Sequence, residues 1–146
     1  MKKIFYSFLL LSSVTLFAQK NTSVKFAVAN DIVGTTDLFA GSLKNSIEST
    51  RSYKSSAELP QNLKKYSFMA DNGLVEYKLK KNQVAALDRT SLSALNVRYG
   101  LAKETPVFID GYEFKNTNLV VFEELLNKIN VIDSNGSKAL SVTTKK

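Results

Sequence analysis

The chain has 146 residues, with 20 Lys and Arg against 13 Asp and Glu, a net charge of +7, and neither His nor Cys. Those two absences exclude Ser-His-Asp and Cys-His nucleophilic machinery, imidazole or thiolate zinc sites, haem ligation through either residue, and disulfide staples. Stability must come from an apolar core, and the chemistry left is that of carboxylate, Lys, Tyr and Ser.

The chain opens with Met1-Lys2-Lys3, continues through an apolar run from Ile4 to Phe17, and reaches Ala18-Gln19-Lys20. A basic start, a short hydrophobic stretch and a small residue before polar sequence predict a secretory signal peptide over residues 1–18, cleaved after Ala18. Leu16, three residues before the cleavage point, is larger than such sites favour. The run is short for a membrane span and is interrupted by Ser7, Ser12, Ser13 and Thr15. No Cys follows it, so there is no thiol for lipid attachment. The expected location is therefore exported, periplasmic or secreted and peripheral to the outer membrane, with no transmembrane span in the mature chain. Lys residues are scattered rather than clustered, which predicts a solvated basic surface and no nucleic-acid partner.

Residues 19–62 are expected to form an N-terminal strand followed by a polar linker. Val24, Phe26 and Val28 alternate with Lys25, Ala27 and Ala29, a half-buried strand pattern. After a cap at Thr36, Leu38, Phe39, Leu43 and Ile47 recur at helical spacing, although Gly41 weakens that helix. The segment from Glu48 to Glu58 has almost no apolar content and predicts a loop closed by Pro60.

Residues 63–146 are expected to form an α+β domain. Asn72-Gly73 suggests a hairpin in which Ala70 faces Val75, Phe68 faces Tyr77 and Tyr66 faces Leu79. Leu92, Leu95 and Tyr99, between a cap at Thr90 and Gly100, predict a helix. Asp110-Gly111 sets a second hairpin, with Ile109 opposite Tyr112, Phe108 opposite Glu113 and Val107 opposite Phe114. Leu119, Phe122, Leu126 and Ile129 predict a second helix, capped at Asn116, Thr117 or Asn118. Asn135-Gly136 then turns a third hairpin, placing Ile129 and Val131 against Val142 and Leu140, and Asp133 against Lys138. No internal sequence repeat stands out. The expected fold is α+β and two-layered: a mostly antiparallel sheet built from three hairpins, with two helices packed on one face.

The run Pro106-Val107-Phe108-Ile109-Asp110-Gly111, a capped polar-apolar helix expected after it, and a closing strand ending in Val142-Thr143-Thr144-Lys145-Lys146 resemble the plug region of TonB-dependent outer-membrane receptors of Bacteroidetes type. The resemblance covers roughly Thr105 to Lys146 and implies a plug-like module associated with an outer-membrane protein. The chain departs from the family pattern in three ways. Ser134-Asn135-Gly136-Ser137 replaces a longer Ala/Tyr/Gly-rich loop, no barrel follows, and no TonB box is evident.

No catalytic, cofactor-binding or metal-ligating residues are assigned. Asp110 favours its turn and Glu113 points to the opposite face, so they do not form a working pair. Glu123 and Glu124 diverge by about 100° on a helix. The Asp-containing turns lack calcium-loop spacing. Tyr66, Phe68, Tyr77, Tyr112 and Phe114 are candidate core residues that form a partner-binding patch wherever helices leave them uncovered. The expected function is a non-enzymatic exported binding module that docks to an envelope protein through a sheet edge or aromatic patch. The alternative is a small secreted hydrolase using carboxylate or Ser/Lys chemistry. A secreted toxin or its inhibitor has no supporting motif.

Overall fold

A computed structural model describes residues 20–146; the expected signal peptide, residues 1–18, lies outside them. In chain order the elements are β1 (Phe26–Ala29), β2 (Ile32–Thr35), α1 (Thr36–Ala40), β3 (Ile47–Tyr53), β4 (Leu74–Leu79), β5 (Arg89–Ser91) and α2 (Leu92–Arg98). They continue as β6 (Val107–Ile109), β7 (Tyr112–Phe114), β8 (Val120–Phe122), β9 (Leu126–Ser134) and β10 (Ser137–Thr144). Short 3-10 turns at Lys44–Ser46 and Glu123–Leu125 lead into β3 and β9, and a longer 3-10 segment spans Gln61–Met69. The class is α+β, as expected, but the strands form two sheets. One has six strands in the order β3-β4-β1-β2-β8-β5 and the other four in the order β7-β6-β10-β9. Both are mixed, with parallel pairs β1–β4, β2–β8 and β6–β10.

Two of the three expected hairpins form in the expected register. Ile109 pairs with Tyr112 and Val107 with Phe114 across Asp110 (φ 48°) and Gly111 (φ 82°). Ile129 pairs with Val142, Val131 with Leu140 and Asp133 with Lys138 across Asn135 and Gly136. Positive φ at both turn positions selects Asx-Gly, so the local chemistry fixes these registers.

The hairpin expected at Asn72-Gly73 does not form. Its first arm is the 3-10 segment Gln61–Met69, and β4 pairs instead with β3 and β1. Buried Leu63, Tyr66 and Met69 explain this, since a spacing of three aligns side chains on one stripe of a 3-10 helix. The alternation of Tyr66, Phe68 and Ala70 masks that period.

The expected loop from Glu48 to Glu58 contains β3, an edge strand whose middle residues are exposed, so it needs no apolar stripe. The helix expected over Leu119, Phe122, Leu126 and Ile129 is replaced by β8, a 3-10 turn and the start of β9. Val120-Val121-Phe122 is β-prone, and it gains backbone partners on β2 and β5 that an isolated helix lacks. The helix expected at Leu92 forms as α2, whereas the one expected from Leu38 to Ile47 forms only over Thr36–Ala40, with Leu43 in the following turn and Ile47 in β3; each is capped one residue from the expected position. Thr35 Oγ1 accepts from the Leu38 N–H at 3.3 Å, and Ser91 Oγ from the Ala94 N–H at 3.1 Å.

Residues 20–62 share a sheet and a core with the residues that follow. β1 lies inside the six-stranded sheet, and one buried cluster runs from Phe26 to Val142. Phe26 joins the sheets: its ring meets Tyr112 edge-on at 5.1 Å and Phe114 at 5.9 Å.

The two sheets also share a unit. β1–β2 with β3–β4, and β6–β7 with β9–β10, have the same topology: a hairpin whose first strand runs parallel to the last strand of a second antiparallel pair. The registers coincide. The row Val28–Glu76–Arg51 corresponds to Phe108–Ser141–Asn130. Each unit carries a bulge at the same point, at Glu48 in one and Asn127 in the other. Beyond it, the Lys80 N–H donates to Ser46 O at 2.9 Å, and the Lys145 N–H to Leu125 O at 3.1 Å. The repeat is one of backbone geometry, carried by different side chains.

Candidate functional site

Among the described residues, two clefts lie beside the shared core. The larger, about 450 Å³, lies over β1, β4 and β3, between the Asn30-Asp31 turn and Asn62 and Leu63 of the 3-10 segment. Alternation along the strands brings Val28, Glu76 and Arg51 to one face in adjacent register positions, and Ser49 and Lys78 to the next row. Both signs of charge therefore line it: Asp31, Glu76, Arg51 and Lys78.

Most of these charges already have partners. Asp31 lies 3.0 Å from Lys65 Nζ, and Lys78 Nζ lies 3.4 Å from Glu48. Glu76 accepts from the Tyr53 hydroxyl at 3.1 Å. Desolvation, with help from that bond, pushes the Tyr53 phenol up from its ordinary value. The Lys65 ammonium is likewise raised, chiefly by Asp31. Tyr77 lines the same cleft, and burial raises its pKa.

Ser49 and Lys78 are cross-strand neighbours, the pairing a Ser/Lys hydrolase requires. A lysine base must be neutral and desolvated, whereas Lys78 is 63% exposed and ion-paired to Glu48. Lys78 as placed is therefore a solvated, ion-paired ammonium and not a desolvated base beside Ser49.

The smaller cleft, about 400 Å³, is lined by Lys20, Lys65, Lys115, Glu113, Asn116 and Phe68. It lies beside β7, the end strand of the four-stranded sheet. Lys20 Nζ sits 3.1 Å from Asp71 and 5.0 Å from the centre of the Tyr112 ring.

The five aromatics expected as a partner patch are not on one surface. Tyr66, Tyr112 and Phe114 are fully buried. Tyr112 and Phe114 pack on Phe26, and the Tyr66 hydroxyl donates to Asp31 O at 3.3 Å. Phe68 and Tyr77 are half-buried, and each lines one cleft: Phe68 the smaller, Tyr77 the larger. The charged cleft residues Arg51, Asp31 and Lys115 carry no sequence signal of their own. Only strand pairing brings them together.

Asp110 serves its turn, its carboxylate accepting from Thr144. Glu123 pairs with Arg98 at 3.0 Å, and Glu124 accepts from the Ser42 hydroxyl at 2.6 Å. Among the described residues there is no cluster of three or more acidic groups able to hold a metal, and no helix long and apolar enough to cross a membrane. No protein-family model, no curated protein and no solved structure matches this chain.

Proposed function

We propose that the chain is a non-enzymatic, exported binding module of the cell envelope, periplasmic or secreted, that associates with an outer-membrane protein. The signal-like pattern of residues 1–18 supports the location. The likeness of Thr105–Lys146 to a receptor plug supports the partner class. The observation that carries the reading is the larger cleft, in which Asp31 and Lys78 are ion-paired while Arg51 and Glu76 have no ion pair among the described residues, and whose outer wall, β3, is an end strand of the described sheet. A partner there gains backbone bonds along β3 and charge complementarity at Arg51 and Glu76 together.

The test is photo-crosslinking from Ser49 in the intact envelope, with and without Arg51→Glu. A defined adduct with one outer-membrane protein, lost on charge reversal, supports the proposal. Adducts that are absent, or that ignore Arg51, reject it. Ester hydrolysis by the purified protein that disappears in Ser49→Ala would instead establish a hydrolase.

A further inference from the structure

We infer that the outer edge of β7 is a second binding site, which takes an extended, acidic segment of a partner protein as an added strand. The argument starts from the repeated unit. In the first unit, β2 carries a parallel strand on its outer edge, with Ile32 beside Val120 and Val33 beside Val121. β7 is the counterpart of β2, and Glu113 is the counterpart of Val33, because each sits second from its turn. Among the described residues no strand lies along β7's outer edge.

The backbone there is free to bond. In a two-residue hairpin the residues flanking the turn exchange both hydrogen bonds, and the next pair exchanges none. Ile109 and Tyr112 are therefore bonded to each other, while the Glu113 N–H and C=O point outward. The bond from the Asp110 N–H to Val142 O, 2.8 Å, follows the same alternation on the β6 side. The geometry that seats β8 on β2 is thus reproduced at Glu113 with no occupant among the described residues.

The surroundings specify the occupant's chemistry. The cleft beside this edge has Lys20, Lys65 and Lys115 on its rim against the single carboxylate of Glu113. Lys20 and Lys65 also face Asp71 and Asp31, whereas Lys115 has no ion pair among the described residues. Phe68 gives an apolar floor and packs edge-on against Phe114 at 4.8 Å. A strand with small apolar residues on its inner face and carboxylates on its outer face matches both features. The larger cleft is not needed for this site, which therefore stands apart from the proposed function.

The test uses the full chain and two short peptides, one alternating Val with Glu and one alternating Val with Lys, followed by amide hydrogen exchange and NMR shifts. The Val/Glu peptide should slow exchange at the Glu113 N–H by about tenfold at saturation. Lys115→Glu, an exposed substitution that leaves the fold intact, should weaken that binding about threefold or more. Equal binding of the Val/Lys peptide overturns the inference, as do shifts that bypass Glu113. A Glu113 amide already protected in the free chain also overturns it, because the edge would then be occupied by the chain's own residues.

Discussion

The side chains of Asn30 and Asp110 do the same work at the same place in the two repeated units. Asn30 Oδ1 accepts from the Leu79 N–H at 3.4 Å, and Asp110 Oδ1 from the Thr144 N–H at 3.2 Å. Leu79 and Thr144 are themselves equivalent, each just past the bulge of its antiparallel pair. Both turn residues have positive φ, 50° and 48°. The first residue of each turn thus caps the far end of a parallel neighbour, tying a local turn to a distant strand. Asp110 adds a second bond, from the Thr144 hydroxyl at 2.5 Å.

Asp110→Ala should therefore lower unfolding stability by about 2 kcal/mol, by loss of charge-assisted hydrogen bonds and by placing a Cβ residue without a compensating side chain at positive φ. Urea unfolding of Asp110→Ala, Thr144→Val and the double variant measures the share due to the pair. A coupling energy near zero would show that the turn conformation alone matters.

Gly73 and Gly136 separate backbone strain from steric conflict. Both have positive φ, +82° and +81°. A Cβ on Gly73 would lie 2.4 Å from Tyr53 O, whereas one on Gly136 meets nothing within 4 Å. Gly136→Ala should cost about 1 kcal/mol, the strain alone, and Gly73→Ala clearly more, about 3 kcal/mol. Equal melting temperatures for the two variants would contradict the close approach of the Gly73 turn to the end of β3.

Asn96 is fully buried on α2, and its Nδ2 donates to Lys103 O at 3.2 Å and Thr105 O at 2.7 Å. Its Oδ1 has no partner among the described residues. The side chain closes the loop that delivers the chain into β6. Asn96→Ala should cost about 2 kcal/mol, by leaving two carbonyls unpaired. Hydrogen exchange should speed up first around residues 101–106, which distinguishes loop release from general loosening.

Burial raises the phenol pKa of Tyr66, Tyr77 and Tyr112 above 10.0, the ordinary value. A raised folded-state pKa means that folding favours the protonated form. The stabilisation is then complete below the unfolded value and is lost as pH rises through the folded values. Stability should fall with increasing pH above about 10. The phenolate absorbance should appear late and together with unfolding. Tyr66→Phe should make that decline shallower.

The sequence revealed those parts of the fold whose instructions are local. Asp110-Gly111 and Asn135-Gly136 dictate turns, and the turns dictate register, so both hairpins were legible down to the pairing of Asp133 with Lys138, now an ion pair of 2.8 Å. Elements decided by distant partners were not. β8 shows helical spacing in isolation and becomes a strand because β2 and β5 offer it edges. β3 lacks apolar residues because an outer strand does not need them. The larger cleft was invisible for the same reason: Arg51, Glu76 and Asp31 come from separate elements and meet only through a parallel pairing that no turn announces. The five aromatics were readable as core, and three of them are wholly so.

The pairing of β2 with β8 has a consequence for how the chain must fold. Ile32 and Val120 are neighbours in space but belong to opposite ends of the sequence, and β1 likewise waits for β4. Closing such long loops is slow, because their entropy is lost before any contact repays it. A chain emerging from its N-terminus cannot finish the six-stranded sheet until residue 122 is out, and it has no cysteine to trap a partial structure. Folding should therefore begin in the Asp110 and Asn135 hairpins and run backwards along the chain. That order would leave the N-terminal half of the chain without its strand partners until last.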